Sequence, residues 1–230
     1  MAPTDLLSRP TISRYAVPVA GALVAFAGTL SAIALGDSAT EADGLAAFDP
    51  ELTADAIASR TAPLTAIARA LTFTGSTPVL VVLTLLAAAL LLRTTRSWRA
   101  PGLLLLAMAG SSALSSGLKL VVGRHRPSAA DVIGTPASTF AFPSGHTLNS
   151  TVFFCLLAGL VWLGLRSTSA KLTVAAAAVL LSVGIGLSRI YLGYHWATDV
   201  LAGWTIAVTW LAIVVSVAHW LRWLPRTTAA

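Results

Sequence analysis

The sequence predicts an all-α membrane protein, a bundle of six transmembrane helices with an interfacial helix on the outer face before the second span. Only 10% of its 230 residues are charged, whereas a soluble domain carries about 25%. The mean hydropathy is +0.81, and the apolar residues are concentrated in long runs. Residues 1–230 therefore fit a single membrane-embedded domain. The net charge of +6 forms no basic stripe, which argues against a nucleic-acid partner.

Six apolar runs predict the membrane-crossing helices. They are Ala16–Leu35, Pro78–Leu92, Gly102–Leu118, Leu148–Leu165, Leu172–Leu187 and Val200–Leu221. The first run follows basic residues, as the apolar part of a secretory signal peptide does. Such a peptide has only about 7–15 apolar residues at its centre, and we interpret the longer run here as an uncleaved first helix.

The segment between the first two runs, residues 36–74, has a different composition. Its first part is acidic, with Asp37, Glu41, Asp43, Asp49, Glu51 and Asp55. Its second part has apolar residues at near-helical spacing, namely Ile57, Leu64, Ile67, Ala68 and Leu71. This spacing predicts an amphipathic helix on the membrane surface, and a solvated loop is the alternative.

The charges between the runs predict the orientation in the membrane, because loops on the cytoplasmic side carry an excess of Lys and Arg. Six spans put both termini on one side. The basic residues on that side are Arg9, Arg14, Arg93, Arg96, Arg99, Arg166, Lys171, Arg222 and Arg226, against the single acid Asp5. The basic residues on the other side are Arg60, Arg69, Lys119, Arg124, Arg126 and Arg189, against all the remaining acids. We therefore expect a multi-pass protein of the cell membrane with cytoplasmic termini.

Three polar clusters lie at the ends of the apolar runs, within residues 119–199. The first joins Lys119 to Arg126 and Pro127, the second is Pro143-Ser144-Gly145-His146, and the third runs from Ser188 and Arg189 through His195 to Asp199. The predicted topology brings all three clusters to the outer end of the bundle. Charged residues held at a membrane boundary against the topological preference point to a functional site.

The residue types in these clusters suit the binding of a phosphate group. Lys119, Arg126 and Arg189 supply positive charge, and the forked donors of arginine match phosphate oxygens. The second cluster stands where a helix should begin, so unpaired N–H groups favour an anion there. Gly145 permits a close backbone approach to the anion, and Ser144 offers a hydroxyl donor or a helix N-cap.

Two histidines supply candidate groups for the chemistry. His195 and Asp199 are four residues apart at a predicted helix start, so they share a face. The carboxylate can hold one ring nitrogen protonated and leave the other free to attack phosphorus. His146 would then be the protonated histidine that donates to the leaving oxygen.

These motifs together resemble those of the type 2 phosphatidic acid phosphatase superfamily, with no departure at a motif position. That family includes lipid phosphate phosphatases, bacterial phosphatidylglycerophosphate and undecaprenyl diphosphate phosphatases, and vanadium-dependent haloperoxidases. The resemblance implies that His195 forms a phosphohistidine, that Asp199 orients it, and that His146 is the general acid. It implies that the phosphoryl group is bound by Lys119, Arg126, Ser144, Gly145 and Arg189. It implies no metal or other cofactor, which agrees with the absence of a carboxylate cluster beside the motifs.

The remaining polar residues receive structural interpretations. We interpret Arg124 and His125 as loop residues that contact lipid headgroups, and Cys155 as a small packing residue. Asn149, one turn after His146, either orients that histidine or packs between helices.

The sequence favours hydrolysis of a lipid phosphate but leaves the lipid open. Phosphatidic acid, phosphatidylglycerophosphate and a polyprenyl diphosphate all fit, and the oligomeric state is undetermined. A haloperoxidase-like activity is one alternative, although those relatives are soluble. Non-catalytic lipid binding or transport is the other, although it does not explain the His–Asp pair opposite a second histidine.

Overall fold

The computed structural model describes residues 10–135 and 139–223. Asp5, Arg9 and Arg226, which entered the charge count, lie outside these residues. Within them the chain forms eight α-helices and two short 3-10 helices, and the β pairing consists of one isolated bridge between His125 and Phe140.

Six of the helices are long. They are α1 (Pro10–Glu41), α4 (Thr77–Thr95), α5 (Arg99–Val122), α6 (Gly145–Gly164), α7 (Thr168–Tyr191) and α8 (Ala197–Trp220). Each contains a stretch long and apolar enough to cross a membrane. The prediction of an all-α fold with six spans is therefore confirmed.

The segment between the first two spans is helical, but it is not the single helix that its apolar spacing predicts. It contains a 3-10 helix at Gly44–Phe48, then α2 (Asp49–Ala58) and α3 (Ala62–Thr74). The helix is interrupted because Thr61 adopts an extended conformation and caps α3, with its side chain accepting from the Leu64 N–H and a proline in the first turn. The acidic part is not simply a solvated loop either, since Asp49 is 1% exposed.

The centre of the bundle is formed by α6 and α8. Helix α6 packs against α5, α7 and α8, and α1 lies along α8. The core residues Leu104, Leu148, Val152 and Ala207 are all fully buried. Many apolar side chains on the outside of the long helices are exposed, as expected for a surface that lipid covers.

Small residues allow α1 to lie close to α8. A Cβ atom added at Gly28 would stand 2.0 Å from Thr209 Oγ1, and one added at Gly21 would stand 1.9 Å from Ser216 Oγ. Close approach through glycine, serine and threonine is how membrane helices pack without a hydrophobic driving force between them. This packing fixes α8, whose first turn carries the third polar cluster.

Candidate active site

The first cluster is tied to the second through Lys119 in the last turn of α5. Its Nζ donates to the carbonyl oxygens of Phe140, Ala141 and Pro143 at 3.1, 3.2 and 2.8 Å. An ammonium group has three N–H donors, so all of them are directed to the backbone that leads into α6. Lys119 thus fixes this backbone and places a positive charge beside it.

The second cluster begins helix α6 at Gly145, with Ser144 as its N-cap. The Ser144 Oγ accepts from the Thr147 N–H and hydroxyl, and the Ser144 N–H donates to the Asp199 carbonyl at 3.0 Å. Ser144 is fully buried, so its polar groups serve the fold in this structure. The N–H groups of Gly145 and His146 are the ones that the helix leaves without an intrahelical acceptor.

The packing of α6 against α5 requires a glycine at position 145, which the sequence does not reveal. A Cβ atom at this position would stand 2.9 Å from the Ser115 Oγ on helix α5. The glycine therefore lets α6 begin directly against α5.

The third cluster places His195 just before helix α8 and Asp199 in its first turn. The Asp199 Oδ2 accepts from the Trp196 N–H at 2.9 Å, and the His195 Nδ1 lies 3.4 Å from the same oxygen. The Asp199 side chain comes close to His195 because it forms a capping box, in which it accepts from the backbone N–H of the N-cap residue Trp196. The pairing predicted from a shared helical face is present, but helix capping is its cause.

Arg126 determines which nitrogen of His195 carries the proton. Its Nη1 lies 3.1 Å from the His195 Nε2 and also donates to the Tyr194 carbonyl. Because a guanidinium can only donate, Nε2 must accept. The neutral ring therefore carries its proton on Nδ1, which faces Asp199.

Burial and the neighbouring positive charges keep the ring of His195 neutral. Its side chain is 2% exposed, and burial holds its pKa well below 6.5, reinforced by the charges of Arg189, Arg126 and Lys119, while a hydrogen bond to the Ala141 backbone acts in the opposite direction. The ring of His195 is thus unprotonated at neutral pH.

Arg189, in the last turn of α7, has an unused donor. It is 5% exposed, its Nη1 donates to Thr72 Oγ1 on α3, and its guanidinium stacks 3.9 Å from the Tyr194 ring centroid. Its buried Nε has no hydrogen-bond partner among the described residues. An unpaired buried donor of a cation is costly, and an anion bound here would satisfy it.

His146 stands in the first turn of α6, half-buried. It interacts electrostatically with Arg189, His195, Arg126 and Lys119, so it belongs to the same site. Gly75, at the end of α3, lies over it, because a Cβ atom there would be 3.6 Å from the His146 Cδ2 and only 2.5 Å from Ile185.

Arg124 is not the headgroup-contacting loop residue that we expected. Its side chain is 11% exposed, with Nη2 2.8 Å from Asp49 Oδ2 and Nη1 2.9 Å from Asp199 Oδ1. That interpretation is wrong because the loop after α5 turns inward over the start of α8. His125, by contrast, is exposed, and its carbonyl accepts from the Trp196 indole.

Sequence reasoning missed Asp49, Thr72 and Arg124 as parts of this site. Nothing local marks Asp49 or Thr72, because the residues that they contact lie far along the chain. Arg124 had one available signal, its position inside the first motif.

The Asn149 Oδ1 is buried without a partner among the described residues and lines a cavity of about 210 Å³ between α4, α5 and α6. Within residues 10–135 and 139–223, no group of three or more His, Cys, Asp or Glu side chains could hold a metal ion.

Comparisons with known proteins agree on one family. The sequence model of the PAP2 superfamily matches residues 100–223. Phosphatidylglycerophosphatase B of Bacillus subtilis (strain 168) is 29% identical over 174 residues, which are 74% of this chain and 83% of the relative. Decaprenylphosphoryl-5-phosphoribose phosphatase of Mycolicibacterium smegmatis is 38% identical over 89 residues, which are 37% of this chain and 42% of that protein.

The fold is also that of a solved relative. The crystal structure of a transmembrane PAP2-type phosphatidylglycerolphosphate phosphatase from Bacillus subtilis matches with a TM-score of 0.74 at 26% identity. The match covers 83% of this chain and 94% of the other.

Proposed function

Because the chain belongs to the PAP2 superfamily, we propose that it is an integral membrane lipid phosphatase that forms a phosphohistidine on His195. The observation that carries this proposal is the arrangement around the ring of His195. Arg126 lies at Nε2 and Asp199 lies at Nδ1. The ring nitrogen without a proton, Nε2, is therefore the one that faces Arg126.

In the first step, the lone pair of His195 Nε2 attacks phosphorus, and the bond from phosphorus to the leaving oxygen breaks. Asp199 holds the Nδ1 proton and stabilises the positive charge that develops on the ring. His146 gives its proton to the leaving oxygen. The products of this step are the dephosphorylated alcohol, or a monophosphate when the substrate is a diphosphate, and phosphohistidine.

In the second step, water attacks the phosphorus of the phosphohistidine. His146, now unprotonated, takes a proton from that water, and the bond between nitrogen and phosphorus breaks. Inorganic phosphate leaves, and both histidines return to their starting protonation states.

The phosphoryl oxygens would be bound by the Arg189 Nε, which has no partner among the described residues, and by the backbone N–H groups of Gly145 and His146. The Arg126 guanidinium would bind them as well. The Arg126 donor that meets Nε2 in the empty site would turn to a phosphoryl oxygen when Nε2 attacks. Lys119 would contribute charge while its protons hold the backbone, and Ser144 would act by capping α6.

The substrate is a phosphate monoester or diphosphate of a lipid. The names of the relatives include a phosphatidylglycerophosphatase and a phosphatase of a decaprenyl-linked sugar phosphate, so both glycerolipids and polyprenyl lipids are candidates. We propose that the site faces away from the cytoplasm, supported by the excess of basic residues on the opposite side of the membrane.

The experiment is phosphate release by the purified protein in detergent micelles or liposomes. Phosphatidic acid, phosphatidylglycerophosphate and a polyprenyl diphosphate are the substrates, and His195→Ala is the control. Release from at least one lipid, absent in the variant, supports the proposal. Halide oxidation in the presence of vanadate and peroxide, without phosphate release, would instead identify a haloperoxidase-like enzyme, and lipid binding without turnover would identify a carrier.

A further inference from the structure

Arg124 lies between two buried carboxylates at the edge of the proposed active site. Its Nη2 is 2.8 Å from the Asp49 Oδ2, and its Nη1 is 2.9 Å from the Asp199 Oδ1. The Asp49 and Asp199 side chains are 1% and 0% exposed. Buried ion pairs require good geometry and further hydrogen bonds to repay the cost of desolvation, and both are present here.

Thr198 closes the network. Its N–H donates to the Asp49 Oδ1 at 3.0 Å, and its hydroxyl donates to the Asp49 Oδ2 while accepting from the Arg124 Nη1. Asp49 is the first residue of α2, so the short outer helix is joined to the first turn of α8. The guanidinium also lies 5.5 Å from the centroid of the Trp196 ring.

This network fixes both oxygens of Asp199. Arg124 holds Oδ1, and the Trp196 N–H at 2.9 Å and the His195 Nδ1 at 3.4 Å share Oδ2. The contact with His195 is the longest of the three. The orientation of the carboxylate towards the ring therefore depends mainly on the other two donors.

We propose that Arg124 is a positioning residue for phosphoryl transfer, with Asp49 as its anchor. It does not touch the phosphoryl group. It keeps Asp199 turned towards the Nδ1 proton of His195, so that Nε2 remains the unprotonated nucleophile. This inference rests on the proposed function, since it assigns Arg124 a part in that same reaction.

The consequence is that Arg124 acts only through Asp199, which a double-mutant cycle can test. Arg124→Lys keeps the charge, but a single ammonium lacks the fork that spans Asp49 and Asp199. We expect kcat with an aryl phosphate to fall by roughly 10²-fold, the order of loss for a small misplacement of a catalytic group, with KM nearly unchanged. In an Asp199→Asn background the same substitution should cost less than about twofold.

Arg60→Lys is the matched control. Arg60 also joins outer segments, donating to the carbonyls of Tyr191 and Asp131 at 3.0 and 2.7 Å, but it makes no contact with Asp199. Its activity should stay within about twofold of wild type. If Arg124→Lys and Asp199→Asn reduced kcat multiplicatively, as independent sites do, Arg124 would be a structural residue and the inference would be overturned.

A second variant and a second readout cover the remaining outcomes. If Arg124→Lys fails to fold in a thermal-melt assay, Asp49→Asn can replace it, because this substitution removes only the charge of the anchor. Asp49→Asn should reduce kcat by a smaller factor than Arg124→Lys, and it should have almost no effect on kcat in the Asp199→Asn background. NMR of isotopically labelled histidine reports the His195 tautomer without any turnover, with His195→Gln used for assignment. The Nδ1–H form should dominate in wild type and lose that dominance in Arg124→Lys or Asp49→Asn.

The two readouts separate this inference from the proposed function. A protein that releases no phosphate from any substrate, yet shows the expected change of tautomer, would refute the proposed function and leave the positioning role supported. A protein that turns over lipid phosphate, with the tautomer unchanged in the variants, would refute the positioning role alone.

Discussion

Lowering the pH tests whether burial and the neighbouring cations keep His195 neutral. An imidazole with an ordinary pKa of about 6.5 is about 90% neutral at pH 7.5 and about 10% neutral at pH 5.5, so an ordinary nucleophile would lose nearly tenfold in this interval. Burial, followed by the charges of Arg189, Arg126 and Lys119, holds the pKa of His195 well below 6.5. The ring therefore stays neutral at a lower pH than an ordinary imidazole does. We expect kcat/KM to fall by clearly less than tenfold in this interval.

The assay is kcat/KM for an aryl phosphate across this pH range, because this constant reports the ionisation of the free enzyme. The substrate also titrates, with a second pKa near 6 for a typical phosphate monoester, and its own titration curve is divided out. Arg126→Gln removes a cation beside the ring, so its acid limb should move to higher pH even though its activity is lower. Arg60→Gln, which removes a cation outside the site, should leave the limb in place. A tenfold loss in wild type, following a pKa of about 6.5, would refute the reasoning.

Four further predictions concern the roles of the two histidines, the independence from metal ions, the stability in acid and the membrane topology. His195→Ala should be inactive towards every substrate, whereas His146→Ala should keep measurable turnover of an activated aryl phosphate, whose leaving group needs no proton; the opposite pattern would exchange the two roles. Phosphate release should persist in chelator and stop with vanadate, and a loss in chelator that magnesium restores would contradict the metal-free mechanism. Because the pKa of His195 is lowered in the folded protein, only the unfolded chain binds this proton just below pH 6.5. The free energy of unfolding should therefore decrease as the pH falls below 6.5, by up to about 1.4 kcal/mol per pH unit. Thermal melts of His195→Gln should show a smaller loss of stability in acid. In a Cys155→Ala background, an impermeant thiol reagent applied to intact cells should label a cysteine at Ser128 and spare one at Thr168, and the reverse labelling would invert the topology.

The sequence predicted the long helices well because membrane spans depend on local composition. A helix in lipid satisfies its backbone hydrogen bonds within the segment itself, so an apolar run such as Val200–Leu221 predicts its own structure. The predicted pairing of His195 with Asp199 was also local, since the two residues are four apart. Even there the cause was different, because Asp199 reaches the ring by capping the helix at Trp196.

The interruption at Ser59–Thr61 was available in the sequence and was still missed. Thr61, followed by Pro63, is a start signal for a new helix, and the structure shows that it acts as one. The apolar spacing from Ile57 to Leu71 continues across that signal and by itself predicts one helix. Periodicity indicates which face is apolar, and it does not reveal whether one helix or two present that face.

Local composition and motif spacing predict the number of spans, the meeting of the three motifs at one end of the bundle, and the residue types able to bind and attack a phosphate. How those residues are held depends on the tertiary structure. Asp49 reaches Arg124 and Thr72 reaches Arg189 across many intervening residues, and Lys119 uses its donors on backbone carbonyls. These contacts depend on which helices pack side by side and on which polar groups remain unsatisfied after packing. Neither property is encoded in the residues next to them in the chain, so the motifs showed which groups are present and the fold decided which of them hold the others in place.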